Sequence, residues 1–405
     1  MQIAYRIVVC FAHILLRIVA LFNPKINAFL NERKTVWEDL EKWSEYAHSK
    51  PVICFHCASL GEYEMIVPVI SSPKIQEKYT VVLSFFSSSG YKHAKPGDLV
   101  KAKFYLPLDS RKNMSRFVEL LHPEKFVFVK YDLWYHLIGA LQQAKVEVFL
   151  VNALIRPKQF ITSFWGRVIR KRMQTFNHIF VQDNASNKRL HGLGFSNVSV
   201  SGDLRFDRVS QLKSAATEDN RFTRFAHKKT TLILGSSWQA EEVFLSEFMQ
   251  DSSLDFQVII APHDIGTGHI SQIQNLFKDY DVQLFSEEER DSRILVLDNI
   301  GLLSKAYASA DLAVIGGGFG NGLHNILEAA VWGMPILTGP NIQNFPEAIQ
   351  LKEIGCLQTM DSSKSSGETL HEWLSNPSVR KNKQESMLQW FSKKTGATEM
   401  VLDVL

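Results

Sequence analysis

DLAVIGGGFGNGLHNILE, residues 311–328, joins an apolar run to a cluster of glycines and then to a helical pattern. Leu312 to Ile315 reads as a buried strand, and glycines follow at 316, 317, 318, 320 and 322. From about Leu323 the spacing predicts a helix carrying His324, Asn325 and Glu328. Residues four apart share a helix face, so His324 and Glu328 are expected on one side. Strand, glycine turn and helix together present unpaired backbone N–H groups and a helix dipole to an anion such as phosphate. A glycine there lets the backbone come close to a ligand and take positive φ. A carboxylate one turn into such a helix suits two ribose hydroxyls. The alternative is a tight strand-to-helix turn with a surface Glu.

The same alternation runs through most of the chain. Short apolar runs at 52–57, 79–85, 103–106, 125–130, 146–151, 178–182 and 198–202 alternate with helical patterns, for example at 111–121 and 133–144. A polar, Ser/Thr-rich segment, 208–230, reads as a linker. A second series follows at 231–235, 257–261, 293–297, 311–315 and 335–338. Such alternation predicts parallel sheets with helices on both faces. The expected fold class is therefore α/β, as two Rossmann-like domains facing across a cleft. Ligands of such sheets bind beyond the C-terminal strand ends.

Size and composition agree. A chain of 405 residues, 45% apolar and 21% charged, suits two globular domains with large cores. A net charge of only +3 argues against bulk nucleic-acid binding. Cys54 and Cys57 form a C-x-x-C inside an apolar run. Three apart in a strand, they face opposite sides, which disfavours a redox or zinc pair.

Residues 3–22, IAYRIVVCFAHILLRIVALF, have the length of a membrane span. At 100° per residue, His13 and Arg17 fall within about 20° of Arg6, giving one narrow polar stripe. Each Arg at mid-membrane would cost about 2.5–3.5 kcal/mol. A helix lying at the membrane interface fits better than a simple span. No small-residue cleavage site follows, so a signal peptide is disfavoured. The expected divisions are a membrane-associated helix at 1–30, an acceptor domain at 31–210 and a donor domain at 211–405.

Several strand-end loops carry candidate chemistry. HCASLGEYEM, residues 56–65, places Glu62 just beyond a strand. Glu62 is either a catalytic carboxylate or half of a capping box with Ser59, bonding the Ser59 N–H. Glu64 is the weaker competitor. GSSWQAEE (235–242), IIAPHD (259–264), LDNIGLL (297–303) and GPNIQNFPE (339–347) follow strands of the second series. Ser236 and Ser237 could meet a phosphate or cap a helix, and His263 could touch a nucleotide. RPKQFITSFWGRVIRKR, residues 156–172, interleaves basic residues with Phe160, Phe164 and Trp165. It reads either as a solvated basic helix or as a surface meeting phosphates and acyl chains at a membrane.

The ordered set is specific. SLGE (59–62), SSSG (87–90), PLD (107–109), DLW (132–134), VNA (151–153), SGDLRFD (201–207), APH (261–263), GGGFGNGLHNILEAA (316–330) and GPNIQNFPE resemble the bacterial Kdo transferases in order and spacing. These attach 3-deoxy-D-manno-octulosonic acid (Kdo) to the lipid A precursor. The resemblance implies a GT-B fold, an inverting glycosyltransferase, CMP-Kdo as donor and no metal or other cofactor. It implies Glu62 as general base, with Asp132 and Arg205 supporting the transition state. It implies CMP contacts at Pro262 and His263, at Ile300, Gly301 and Leu302, and at Asn325, Ile326, Leu327 and Glu328. It further implies partners in CMP-Kdo, a lipid A precursor and the membrane surface. The implied location is the cytoplasmic face of the inner membrane.

The chain departs from the family at several points. His263 stands where an Arg is usual, Lys130 replaces one carboxylate of an acidic pair, and Asp132 shortens the other. Arg205 replaces a Lys, and NILE stands for NPLE. The rivals are another GT-B transferase using a UDP- or GDP-sugar and a non-catalytic lipid-binding relative.

Overall fold

The computed structural model describes residues 2–46, 48–216, 220–227, 229–320, 322–360 and 363–405. The chain divides into two compact units. One comprises Met1–Arg208 with Thr395–Leu405, the other Val209–Lys394.

The first unit holds a seven-stranded, wholly parallel sheet. Its strands are β1 Val52–Cys57, β2 Thr80–Phe85, β3 Ala102–Tyr105, β4 Lys125–Val129, β5 Glu147–Ala153, β6 His178–Val181 and β7 Val198–Val200, in the order β3-β2-β1-β4-β5-β6-β7. The central strand β1 is buried along its whole length. Alternate residues enter different cores: Cys54 packs with Val52 and Phe126 on one face, Cys57 with Phe55 and Ile66 on the other. The two thiols therefore lie on opposite sides, as strand periodicity requires, and neither is in a disulfide.

The second unit repeats the plan. Its strands are β8 Thr231–Ser237, β9 Gln257–Pro262, β10 Val282–Leu284, β11 Ile294–Val296, β12 Leu312–Ile315, β13 Ile336–Thr338 and β14 Leu357–Thr359, ordered β10-β11-β9-β8-β12-β13-β14. Every pairing is parallel. The edge strands β10 and β14 have three residues each and lie outside the runs expected from the sequence, because each carries a polar residue at its centre, Gln283 and Gln358, in place of a continuous apolar run.

Two further segments take a more definite form than the sequence suggests. Segment 208–230, read as a polar linker, is largely helical over its described residues. Helix Leu204–Ala215 runs through the division between the units, and helix Asn220–Ala226 follows, with Phe222 buried. Within 156–172 only Arg167 onward is α-helical, in a helix ending at Met173. The Arg170 guanidinium instead ties the preceding turn by donating to the carbonyls of Ile161 and Ser163.

The last helix, Ala397–Leu402, belongs to the first unit. Its Ala397, Val401 and Leu402 join the core around Tyr63 and Ile66. Asp207 fixes its start by accepting the N–H groups of Gly396 and Thr398 at 2.8 and 2.6 Å.

The N-terminal helix, Gln2–Ala20, docks on the first unit through Tyr5. The Tyr5 hydroxyl donates to Asp109 at 2.8 Å, and its ring packs 5.0 Å from that of Tyr135. Asp109, from the PLD motif, also accepts the N–H groups of His136 and Leu137 at 3.1 and 3.0 Å. It thereby caps helix Tyr135–Gln143, whose first N–H groups have no intrahelical acceptor. Phe11, Ile14, Leu15, Ile18, Leu21 and Phe22 are exposed, as are Phe160, Phe164 and Trp165. Among the described residues no helix is long and apolar enough to cross a membrane. The side chains of Arg6 and His13, two members of the expected polar stripe, lie outside the described residues.

Candidate active site

In the first unit Glu62 sits in the opening turn of helix Leu60–Ile70, directly after β1. Ser59 caps that helix, its hydroxyl accepting the Glu62 N–H at 3.4 Å. The reciprocal bond goes elsewhere than expected. The Glu62 carboxylate accepts the N–H of Ala58, not that of Ser59, although Ser59 is the helix N-cap. Glu62 is 7% exposed. Burial pushes its carboxyl above the usual range; the Ala58 N–H opposes the rise, Asp132 adds to it, and Lys130 and His56 oppose it. A carboxylate raised in this way is suited to accept a proton near neutral pH.

Asp132 lies just beyond β4 and is steered from behind by His56. The imidazole is fully buried, with Nε2 3.0 Å from Asp132 Oδ2 and Nδ1 2.8 Å from Ser84 Oγ. The register places His56 beside Ser84 on β2, so the alignment of strands builds this chain. With Nε2–H on the carboxylate, Nδ1 accepts the Ser84 hydroxyl. His56 stood in the quoted motif, but no spacing pointed to this role.

Arg205 opens helix Leu204–Ala215 and is held by Asp203. Its Nε and Nη2 donate to Oδ2 at 2.9 and 2.7 Å. The same helix is tied to the one bearing Glu62 in two ways. Arg208 donates from Nε and Nη2 to Glu64 at 2.9 and 2.7 Å, which engages that competing carboxylate. Asn152 is fully buried at φ 59, where the pairing of β5 with β6 slips. Its Oδ1 accepts the Leu204 N–H at 3.0 Å and its Nδ2 reaches Met65 Sδ at 3.3 Å. The VNA motif thus positions both helices.

In the second unit the glycine segment differs from its expected form. The helix after it is only Leu327–Ala330, so His324 precedes the helix and does not share a face with Glu328. The glycines before it are closely packed. A Cβ on Gly316 would lie 2.2 Å from the Ser236 carbonyl oxygen, and one on Gly318 2.6 Å from Gly339 N. Gly317 takes φ +89, and its N–H donates to buried Glu241 at 3.0 Å. At Gly320 and Gly322 a Cβ would fit at ordinary van der Waals distance, its nearest atoms 3.8 and 3.7 Å away.

Beside this loop Trp238, His263 and His324 meet at the ends of β8, β9 and β12. Trp238 Nε1 donates to His324 Nε2 at 3.1 Å. The His263 ring stacks on both, with centroids 4.5 Å from Trp238 and 4.6 Å from His324. Burial lowers the His324 pKa, and His263 adds to this. Asn325 is exposed and donates to Glu328 at 2.9 Å, while its Oδ1 accepts the Leu327 N–H at 3.2 Å. Ile326 and Leu327 are buried and Pro262 closes β9, so these three offer a ligand backbone rather than side-chain contacts. Ile300 is exposed, Gly301 takes φ +89 and Leu302 is half-buried in the turn before helix Leu303–Ala306. No local pattern in the sequence marks Trp238 or Glu241, whose partners His324 and Gly317 lie far along the chain. Among the described residues no group of three or more His, Cys, Asp or Glu is placed to hold a metal ion.

Two parallel doubly wound sheets with these loops define a GT-B-like protein. The fold matches solved structures of UDP-GlcNAc 2-epimerase from Neisseria meningitidis (TM-score 0.60, 13% identity, 88% of this chain and 99% of that one). It also matches MurG from Acinetobacter baumannii (TM-score 0.57, 13% identity, 88% and 98%). Residues 31–208 match the family model of 3-deoxy-D-manno-octulosonic-acid transferase. The chain is 25% identical to the transferase of that name from Aquifex aeolicus over 72% of this chain and 76% of the relative. It is 23% identical to the one from Haemophilus influenzae over 87% and 86%. A bifunctional glycosyltransferase/methyltransferase from Fusobacterium nucleatum is 25% identical, and the chain spans 60% of its length. The chain is thus similar to the Kdo transferases over most of its length, with the family model itself covering residues 31–208.

Proposed function

We propose that this protein transfers Kdo from CMP-Kdo to a lipid A precursor, in the inner core of lipopolysaccharide, with inversion and without a metal. The first unit supplies the base. Glu62 takes the proton of an acceptor sugar hydroxyl as that oxygen attacks the anomeric carbon of Kdo. The bond from that carbon to the CMP phosphate breaks, and CMP leaves with the electron pair. The second unit holds CMP through the turns at Pro262–His263, Ile300–Leu302 and Asn325–Glu328. Asp132 and Arg205 meet charge developing in the transition state.

The observation that carries this reading is Glu62 itself. It is a buried carboxylate at a strand's C-terminal end, its proton affinity raised by burial, in the part of the chain that matches the family. The exposed apolar residues of helix Gln2–Ala20 and of segment 160–165 support a resting place on the cytoplasmic leaflet of the inner membrane. Incubation of the purified protein with CMP-Kdo and a tetra-acylated lipid A precursor tests the reading. Mass spectrometry should record the acceptor gaining one or more Kdo units. Calorimetry with CMP, UDP and GDP tests the donor; tighter binding of UDP or GDP than of CMP would reject it.

A further inference from the structure

The ring cluster in the second unit has a defined hydrogen-bond direction. An indole N–H only donates, so the 3.1 Å contact makes His324 Nε2 the acceptor. The ring therefore carries its proton on Nδ1. The described residues give Nδ1 no partner, which leaves that N–H to a ligand or to water. The ring is also held in place. His263 stacks on it, and a Cβ on Gly317 would come within 2.9 Å of its Cδ2, so only glycine leaves room for it there.

Among the ionisable groups on the surrounding elements, Glu242 accepts from Ser237 at 2.7 Å and lies 3.1 Å from His269 Nε2, and Asp264 accepts the Gly266 N–H at 2.8 Å. His263 lies at the end of β9. Glu241, on helix Gln239–Asp251, is occupied by the N–H groups of Gly317 and Trp238. Glu328 accepts from Asn325.

We propose that Trp238 is a positioning residue whose N–H locks His324 as a neutral Nδ1–H donor for the phosphate of the bound nucleotide. The ligand half of this proposal rests on the reading that this loop holds CMP. The chemistry gives the arrangement a purpose. An imidazolium would bind phosphate by a charge-assisted hydrogen bond, stronger than a neutral one. It would also make nucleotide affinity swing with pH across the histidine range. A locked neutral ring binds the leaving group without either effect.

The test is Trp238→Phe in the full-length protein, which keeps a ring for His263 and removes the N–H. Nitrogen-15 NMR, with His324→Gln to assign the signal, reads the tautomer and titration of His324. Calorimetry reads CMP affinity from pH 5.5 to 8 as the ratio of variant to wild type, so that CMP's own ionisation cancels. The wild-type ring should be in the Nδ1–H form and should take up its second proton at lower pH than the variant's ring. The variant should gain CMP affinity toward pH 5.5 by about threefold to tenfold, the scale of one hydrogen bond becoming charge-assisted. Adding His324→Gln to Trp238→Phe should abolish that pH dependence. An Nε2–H tautomer in the wild type, matching titrations in both proteins, or a ratio flat with pH would overturn the proposal. If wild type binds no CMP at any pH, the nucleotide reading and this ligand fall together, while the NMR result still judges the role of Trp238.

Discussion

Glu62→Gln separates the two tasks the structure gives this residue. Glutamine keeps the shape and an oxygen to accept the Ala58 N–H, so the local turn survives. It cannot accept the substrate proton. Loss of a general base costs about 10²–10⁴ in rate, or about 2.7–5.5 kcal/mol of barrier. Glu62→Ala should lose the same activity and also about 1–2 kcal/mol of stability, because the bond to Ala58 goes with it.

The pH behaviour of Glu62→Gln follows from the raised pKa. The ionised carboxylate is the active form, so wild-type kcat/KM should climb as pH rises through that pKa, and this limb should vanish in the variant. Stability moves the opposite way. A folded-state pKa above the unfolded value contributes stability that is complete below the unfolded pKa and is lost as pH rises through the folded one. Glu62→Gln should therefore gain stability relative to wild type as pH rises across that window, while being nearly inactive. Initial rates of Kdo transfer from pH 5 to 8, beside urea unfolding at the same pH values, measure both. Activity of Glu62→Gln within tenfold of wild type, in a folded protein, would refute the base and leave Glu62 a helix cap.

Three further outcomes follow from the packing. Gly318→Ala drives a methyl into the Gly339 backbone and should cost about 1–3 kcal/mol by thermal unfolding, whereas Gly320→Ala has room and should leave stability unchanged; if the loop meets the nucleotide closely, Gly320→Ala should still weaken CMP binding in calorimetry. Asn152→Ala strands the buried Leu204 N–H at about 1–3 kcal/mol and places alanine at positive φ for about 1–2 kcal/mol more, while Asn152→Gly should recover the second part in urea unfolding. Tyr5→Phe removes a donor that opposes the burial-driven rise of the Asp109 pKa, so its destabilisation should be larger at pH 7 than at pH 4, and hydrogen exchange in helix Gln2–Ala20 should quicken; equal losses at both pH values would refute the coupling.

Much of the frame was legible in the amino-acid order. Burying a strand on both faces takes a continuous apolar run, so the longer strands announced themselves, β1 and β4 with nearly their true limits. Two parallel sheets, the strand-end positions of Glu62, Asp132 and His263, and the opposite facing of Cys54 and Cys57 all follow from period and spacing. The motif order carried the resemblance to the Kdo transferases.

Only the tertiary structure decided what depends on distant partners. The close packing of Gly316 and Gly318 is against Ser236 and Gly339, each outside the segment. His56 becomes a support for Asp132 because β2 brings Ser84 alongside it. Trp238 meets His324 across 86 positions of chain, and Asn152 reaches Leu204 across 52. Ala397–Leu402 returns to a core that otherwise runs from Ile53 to Leu204, which no local pattern encodes. Periodicity reports which face of an element is apolar. It cannot report which polar groups meet when those faces pack, and in this protein the chemistry of the candidate site lies in those meetings.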